Sequence, residues 1–307
     1  METRCNICTG PLRSRFERVL DPQTRETFEI SECAECGLGH TLPQPNDLGR
    51  YYGPAYHGGR HGFTARYCLW RRERFVFPRV EDPTGKRLLD VGCGDGSWLL
   101  TARDHGFTVT GTELNPTLAR EAGLEVFESL DDVKGPFDVV TMWHSLEHLR
   151  DPRATIERLS QLLSPGGWLF IAVPDAEGLQ ASLFGAKWFH LDVPRHLFHF
   201  GERSLRALLG RTGFDVKHVW HQELELDLFG WVQSALNVVL PDPNVFFYRL
   251  TGRVTPAGAG QVAASFALGS ALTAAAAPLV PAATIARKGG TLVVGAQNSS
   301  RRPSSDR

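Results

Sequence analysis

The chain predicts an α/β fold: a doubly wound, mostly parallel sheet, preceded by a small module stapled by metal. Three observations predict it. From residue 86 onward, apolar runs of strand length alternate with segments of helical length, the pattern of parallel strands joined by crossover helices. The first of these strands runs into a glycine-rich turn that opens a helix, and two Cys-x-x-Cys pairs stand ahead of the whole array.

Length and composition set the frame. At 307 residues the chain exceeds one typical domain, so one large domain with a small appendage is expected. Thirty-three Lys plus Arg against 34 Asp plus Glu give a net charge of -1, and no global field draws the protein to nucleic acid. The N-terminal residues carry no apolar stretch of the kind that heads a secretory signal, so a cytoplasmic protein is expected.

The elements follow in order. Cys5-Asn6-Ile7-Cys8 and Cys33-Ala34-Glu35-Cys36 are each followed closely by glycine, at Gly10 and Gly37. Two residues between cysteines let one tight turn aim both sulfurs at a single tetrahedral ion, and in a reducing compartment such pairs bind metal rather than form disulfides. About forty residues bury too little apolar surface to fold alone, so a structural Zn²⁺ would supply the folding energy. A zinc-ribbon-like module is therefore expected over 1–42. A linker with lid helices follows over 43–85; it contains Tyr51, Tyr52 and Tyr56, candidates for a substrate lid or for simple packing.

Strands are expected at 86–91, 107–112, 136–142 and 168–173, and helices at 97–104, 116–122 and 152–163, the last opened by Asp151-Pro152. Ligands of such sheets bind beyond the carboxyl ends of the strands. The first strand ends in Asp90-Val91-Gly92-Cys93-Gly94-Asp95-Gly96, where glycines allow a sharp turn and close approach of a ligand. The next ends in Gly111-Thr112-Glu113-Leu114, and a carboxylate there can accept both ribose hydroxyls of a nucleoside. The glycine spacing is Gly-x-Gly-x-Gly, which lacks the Gly-x-Gly-x-x-Gly arrangement that seats a pyrophosphate, so NAD is the weaker reading.

In these residues the chain resembles the class I S-adenosylmethionine-dependent methyltransferases. Leu89-Asp90-Val91-Gly92-Cys93-Gly94-Asp95-Gly96 is similar to their first motif, and Phe137-Asp138-Val139-Val140, Leu146-Glu147-His148 and Leu163-Ser164-Pro165-Gly166-Gly167 to later ones, in the same order over roughly 86–220. The resemblance implies a Rossmann-like seven-stranded sheet whose last strand is antiparallel, with the final two strands at 213–219 and 290–296. It implies S-adenosyl-L-methionine as cofactor, held by Asp90, Gly92, Cys93, Gly94, Glu113 and Leu114.

Two histidine runs, His144-Ser145-Leu146-Glu147-His148 and Arg195-His196-Leu197-Phe198-His199, are placed by that fold at the same end of the sheet. Two uses follow from resemblance. In ubiquinone-biosynthesis and small-RNA O-methyltransferases a Glu-x-x-Glu-His run holds a divalent metal, and His144, Glu147, His148 and His199 resemble those positions, with histidine in place of the first glutamate. That change shifts preference from Mg²⁺ toward Zn²⁺ or similar ions. Bacterial deoxysugar C-methyltransferases also join a four-cysteine module to this fold, and carry an acidic residue before a histidine where this chain has Arg195-His196, so His196 is a candidate base without the expected acidic neighbour. His148 and His144 are the further catalytic candidates.

Between the last two strands lies a hydrophobic insertion, 221–289, far longer than a hairpin needs. It includes a charge-free run, 254–286, with eleven alanines from 262 to 286 and prolines at 278 and 281. Both ends return to one sheet, so a single membrane crossing is excluded. A helical hairpin is expected, packed on the domain, used in a homodimer, or resting on the inner face of the membrane. The methyltransferase domain is thus expected over 86–298, with a disordered tail at 299–307. The function expected is methyl transfer to a small-molecule or lipid-linked acceptor such as a sugar or quinol, oxygen favoured over carbon. The competing class is a non-catalytic binding protein in which the cysteine module meets a partner and the nucleotide fold is a scaffold.

Overall fold

The computed structural model describes residues 4–52 and 63–299. Two compact units divide the chain. Met1–Gly58, Pro174–Ala207 and Trp220–Leu292 gather in one, called here the cysteine unit; Gly59–Val173, Leu208–Val219 and Val293–Arg307 gather in the other, the sheet unit.

The chain opens in the cysteine unit with β1 (Leu12–Leu20), β2 (Thr27–Cys33) and β3 (Gly39–Leu42). β1 and β2 form an antiparallel hairpin with Leu12 opposite Cys33 and Leu20 opposite Thr27. Asp21 shapes its turn: the carboxylate accepts from the Thr24 backbone N–H (3.1 Å) and hydroxyl (2.7 Å), an Asx turn that leaves Arg25 in the left-handed region.

The sheet unit begins with α1 (Phe63–Val76), then β4 (Arg87–Val91), α2 (Ser97–Asp104), β5 (Thr108–Thr112), α3 (Thr117–Glu121), β6 (Val126–Phe127), β7 (Phe137–Trp143), α4 (Pro152–Leu162) and β8 (Leu163–Pro174). Helix α4 forms where Asp151 caps it, accepting from Ala154 N–H at 2.9 Å, with Pro152 pre-set in its first turn. It buries Ile156, Leu159 and Leu162, a stripe of helical spacing. The expected strands form close to their expected bounds. β8 starts earlier than expected because Leu163 already pairs with Phe137; a register shift separates that pair from Val139 opposite Trp168, and Gly166 turns there at φ +75°.

The chain continues through α5 (Leu179–Phe184), β9 (Phe198–His199), α6 (Glu202–Arg211), β10 (Phe214–Trp220), α7 (Leu224–Val239), α8 (Val245–Leu250), α9 (Ala259–Ala276), α10 (Leu279–Ile285) and β11 (Thr291–Asn298). The large sheet has the order β10-β11-β8-β7-β4-β5-β6, mostly parallel with antiparallel pairing at its last strands. β4 is central: Leu88 lies opposite Val109 on one side and Val139 on the other. Leu88, Leu89, Val139, Val140, Leu169 and Phe170 are completely buried, as strands covered on both faces require.

The cysteine module does not stop at residue 42. β9 pairs antiparallel with β3, Gly39 opposite His199, so the smaller sheet runs β1-β2-β3-β9 and residues 1–42 form part of a larger unit. An uncovered β3 would leave a row of backbone groups unpaired, and β9 satisfies them. Tyr51 is buried, its hydroxyl bonded to Glu26 and Arg50 and its carbonyl accepting from Arg195 (3.3 Å); this is packing. Tyr56 lies outside the described residues. The segment 221–289 holds α7 to α10, which share a core of Trp231, Leu236, Phe246, Ala276 and Val280.

Candidate cofactor site and metal centre

The glycine loop is built from the sheet outward. Gly92, Gly94 and Gly96 all take positive φ, +77°, +57° and +79°. A side chain at Gly92 would stand 2.7 Å from Ser145 Cβ, and one at Gly96 would stand 2.3 Å from Leu124 Cδ1, so packing alone demands glycine at both. At Gly94 a Cβ would meet nothing within 4 Å, and the loop there is open to a ligand. Gly92 and Cys93 both donate their N–H to the Thr112 carbonyl, at 2.9 and 3.0 Å, which pins the loop to the end of β5.

Glu113 bridges loop and strand. One carboxylate oxygen accepts from Gly94 N–H and the other from Leu114 N–H, both at 2.8 Å, and each oxygen retains a lone pair for a further donor. Beside it Leu114 is 83% exposed, an apolar surface with nothing laid on it. An open glycine turn, a fixed double acceptor and a bare apolar side chain suit an adenosine carrying two ribose hydroxyls, so these residues fit S-adenosylmethionine.

Two of the expected cofactor residues turn inward. Asp90 is buried and accepts from Thr141 Oγ1 at 2.6 Å, while Trp98 Nε1 donates to the same hydroxyl at 3.1 Å. Burial pushes the Asp90 carboxyl up to about 6, against the pull of the Arg72 guanidinium and the Thr141 bond. Its carboxylate thus ties β4 to β7 and α2 beneath the loop. Cys93 is also buried, with its sulfur against Gly111 and its thiol pushed up by burial, so it offers the ligand side of the loop its backbone. Thr141 and Trp98 have no motif to announce them.

His144, Glu147 and His148 lie in the turn that leaves β7, in the same unit as the loop. His144 takes φ +54°, a conformation rare for a residue with a side chain, and its N–H bonds the Ala172 carbonyl at 2.9 Å. Its Nδ1 lies 3.5 Å from Oε1 of Glu147, which is almost fully buried. Ser145 fastens this turn to the glycine loop: its hydroxyl donates to the Val91 carbonyl at 2.7 Å and its Cβ abuts Gly92.

His196 and His199 belong to the cysteine unit. The Nδ1 of His196 faces the His190 carbonyl at 2.8 Å, which places the proton on Nδ1 and leaves Nε2 as the basic atom. An acidic neighbour exists four residues before it: Asp192 Oδ2 lies 4.0 Å from Nε2. The buried Arg195 holds the other oxygen of Asp192 at 2.7 Å and reaches Asp21 at 3.1 Å. Burial opposes its charge, but these two carboxylates outweigh burial and hold the guanidinium protonated. His199 Nε2 lies 3.0 Å from Thr41 Oγ1, and its Cβ packs against Gly39 on the neighbouring strand.

The four cysteines converge. Cys5, Cys8, Cys33 and Cys36 place their sulfurs within 4.8 Å of one another, with Cys5 and Cys36 at 3.5 Å and Cys8 and Cys33 at 3.4 Å. The two turns repeat one design. Cys5 N–H bonds Gly10 O and Thr9 N–H bonds Cys5 O; Cys33 N–H bonds Leu38 O and Gly37 N–H bonds Cys33 O, all at 2.9 Å. The fourth residue after each leading cysteine, Thr9 or Gly37, is left-handed. The Cys36 thiol points at Cys5 and, aided by His40, lowers the Cys5 thiol despite burial. Thiolate character of this kind suits a soft metal ion.

Comparison with known proteins agrees. Residues 60–219 match the family of the methyltransferase domain. The chain is similar to the ubiquinone biosynthesis O-methyltransferase of Xanthomonas axonopodis pv. citri, 33% identical over 170 residues that make up 48% of this chain and 70% of that protein. It is also similar to that of Thiobacillus denitrificans, 32% identical over 143 residues, 41% of this chain and 62% of that protein. A crystal structure of a Galdieria sulphuraria protein assigned as a sarcosine dimethylglycine methyltransferase shares the fold, with a TM-score of 0.52 at 14% identity over 81% of this chain and 97% of that one. The chain belongs to the class I S-adenosylmethionine-dependent methyltransferases.

Proposed function

We propose that this methyltransferase acts on a hydroxyl oxygen of a small acceptor of the quinol or phenol type, and that a Zn²⁺ ion holds its cysteine module. The observation that carries the acceptor reading is the turn from His144 to His148, fastened to the glycine loop by Ser145 and set at the carboxyl end of β7. When bound, the cofactor supplies an electrophilic sulfonium methyl. Toward that methyl the chain's own residues would have to align the acceptor hydroxyl and take up its proton. A phenolic hydroxyl, with a pKa near that of tyrosine, gives up its proton to an imidazole far more readily than a sugar hydroxyl does. His148 is the candidate acceptor of that proton, with His144 and Glu147 orienting the turn; Glu147 beside His144 also offers the donor types that a divalent ion would use. His196, with Nε2 basic and Asp192 alongside, is the second candidate base. The similarity to ubiquinone biosynthesis O-methyltransferases supports oxygen as the acceptor atom.

The zinc reading rests on sulfur geometry. A tetrahedral ion with bonds of about 2.3 Å needs sulfurs about 3.8 Å apart, and the observed spacings are close to that. The function is tested by transfer of labelled methyl to catechols, hydroquinones and sugars, with and without chelator, in wild type, His148→Ala and His196→Ala. Methyl found on phenolic oxygen and lost in His148→Ala supports the reading. Methyl on carbon, or full activity in both variants, overturns it.

A further inference from the structure

The chemistry of the site makes no use of α9. This helix of 18 residues is long and apolar enough to cross a membrane, yet only 17% of it is buried. A core helix of the same composition would be enclosed; this one lies on the surface. Its inner face is small: Ser265 and Gly269 are buried, and a Cβ at Gly269 would stand 3.0 Å from a Phe246 ring atom. Its outer face shows Ala263, Ala267, Ala271 and Ala275 with Phe266 and Leu268, and α10 continues it with exposed Leu279 and Ile285.

The charge pattern around this face says what covers it. No charged residue occurs between Arg253 and Arg287, and no Asp or Glu between Asp242 and Asp306. Along the sequence the apolar run is bracketed by cations alone, Arg249 and Arg253 before it and Arg287 and Lys288 after it; in the fold Arg287, 62% exposed, also lies 3.5 Å from Glu202, Lys288 donates to the Glu177 carbonyl and Arg253 packs over Phe247. A second copy of this chain docked on the same face would bring like-charged ends together, since a twofold interface uses one patch twice. An anionic surface meets both the apolar face and its cationic borders.

We propose that the outer face of α9 and α10 rests on an anionic lipid bilayer, its alanines and leucines at the acyl boundary and Arg249, Arg253, Arg287 and Lys288 at the level of the headgroups. The attachment is peripheral, because α8 and β11 take both ends of the segment back into folded structure and Pro281 interrupts α10. Alanine buries little area, so the binding is reversible and salt-sensitive. This inference stands apart from the acceptor reading.

Sedimentation of the full chain with vesicles tests it. Binding to phosphatidylcholine vesicles containing phosphatidylglycerol, weakened by salt and much weaker without phosphatidylglycerol, is the expected result. The double variant Ala267→Glu, Ala271→Glu lowers partitioning about tenfold or more, and Arg249→Glu about fivefold. Both variants keep the wild-type melting temperature and cofactor affinity, because the altered side chains face outward. Three results overturn the proposal: no vesicle binding, vesicle binding that none of these changes weakens, or a concentration-dependent dimer that the alanine substitutions dissociate without any lipid affinity. A failure here leaves methyl transfer in solution, and hence the acceptor reading, intact.

Discussion

Two regions of the molecule turn left-handed backbone toward a ligand: the paired cysteine turns at 5–10 and 33–38, and the glycine loop at 92–96. In both, N–H groups and a positive-φ residue set the direction of approach. They differ in what lies behind. The glycine loop caps β4, which has buried strands on both sides, and Asp90, Thr141 and Trp98 lock its base. The cysteine turns flank strands of the smaller four-stranded sheet, β1-β2-β3-β9, whose buried cluster includes Val19, Phe28, Ile30 and Trp188. The glycine loop is locked from behind before a ligand arrives, whereas the four free cysteine sulfurs meet one another across two turns and, on the zinc reading, would be held there by the ion.

On the zinc reading proposed above, removing one of the four converged cysteines is the harshest test of the contrast. Cys33→Ser should release the metal and destabilise the cysteine unit by about 3 kcal/mol or more, read by metal analysis and denaturant unfolding; equal stability without metal would erase the difference between the regions. Next comes the base of the glycine loop. Burial pushes the Asp90 carboxyl from its ordinary 3.8 up to about 6 in the folded protein, so between those values the folded state binds more protons and stability falls as pH rises. The fall amounts to about 3 kcal/mol and is complete above the folded value. Asp90→Asn should flatten that window in unfolding curves, while an unchanged slope would show that the carboxylate is not so deeply enclosed. Glu113→Ala should weaken S-adenosylmethionine binding about 10- to 100-fold by calorimetry with little loss of stability, and unchanged affinity would remove the loop from the cofactor site. The mildest test compares Gly37→Ala with Gly94→Ala. Each places a side chain at positive φ and should cost about 1 kcal/mol, but only Gly94→Ala should alter cofactor affinity.

Much of this was legible in the sequence because it is local. The strands at β4, β5, β7 and β8 follow from apolar runs, α4 from Asp151-Pro152, and the loop from its glycines. The cysteine spacing also carried through to the converged sulfurs. What escaped depends on contacts distant in sequence. β9 is two residues long and exists only because β3 offers an edge. Asp90 reads as a ligand contact until Thr141, a polar residue inside a buried strand, claims its carboxylate. The acidic partner of His196 was sought beside it, and a left-handed bend at Asp192 supplies it four residues earlier. The bond between His199 Nε2 and Thr41 Oγ1 likewise joins residues far apart in the chain.

The single hydroxyl of Ser145 has a consequence for how this scaffold can diversify. Because it clasps Val91 while its Cβ abuts Gly92, on the acceptor reading proposed above a change that moves the histidine turn to accommodate a new acceptor would also shift the glycine loop. New specificities therefore arise with least penalty in segments that do not share this clasp, and the donor half of the reaction can persist unchanged while its recipients vary.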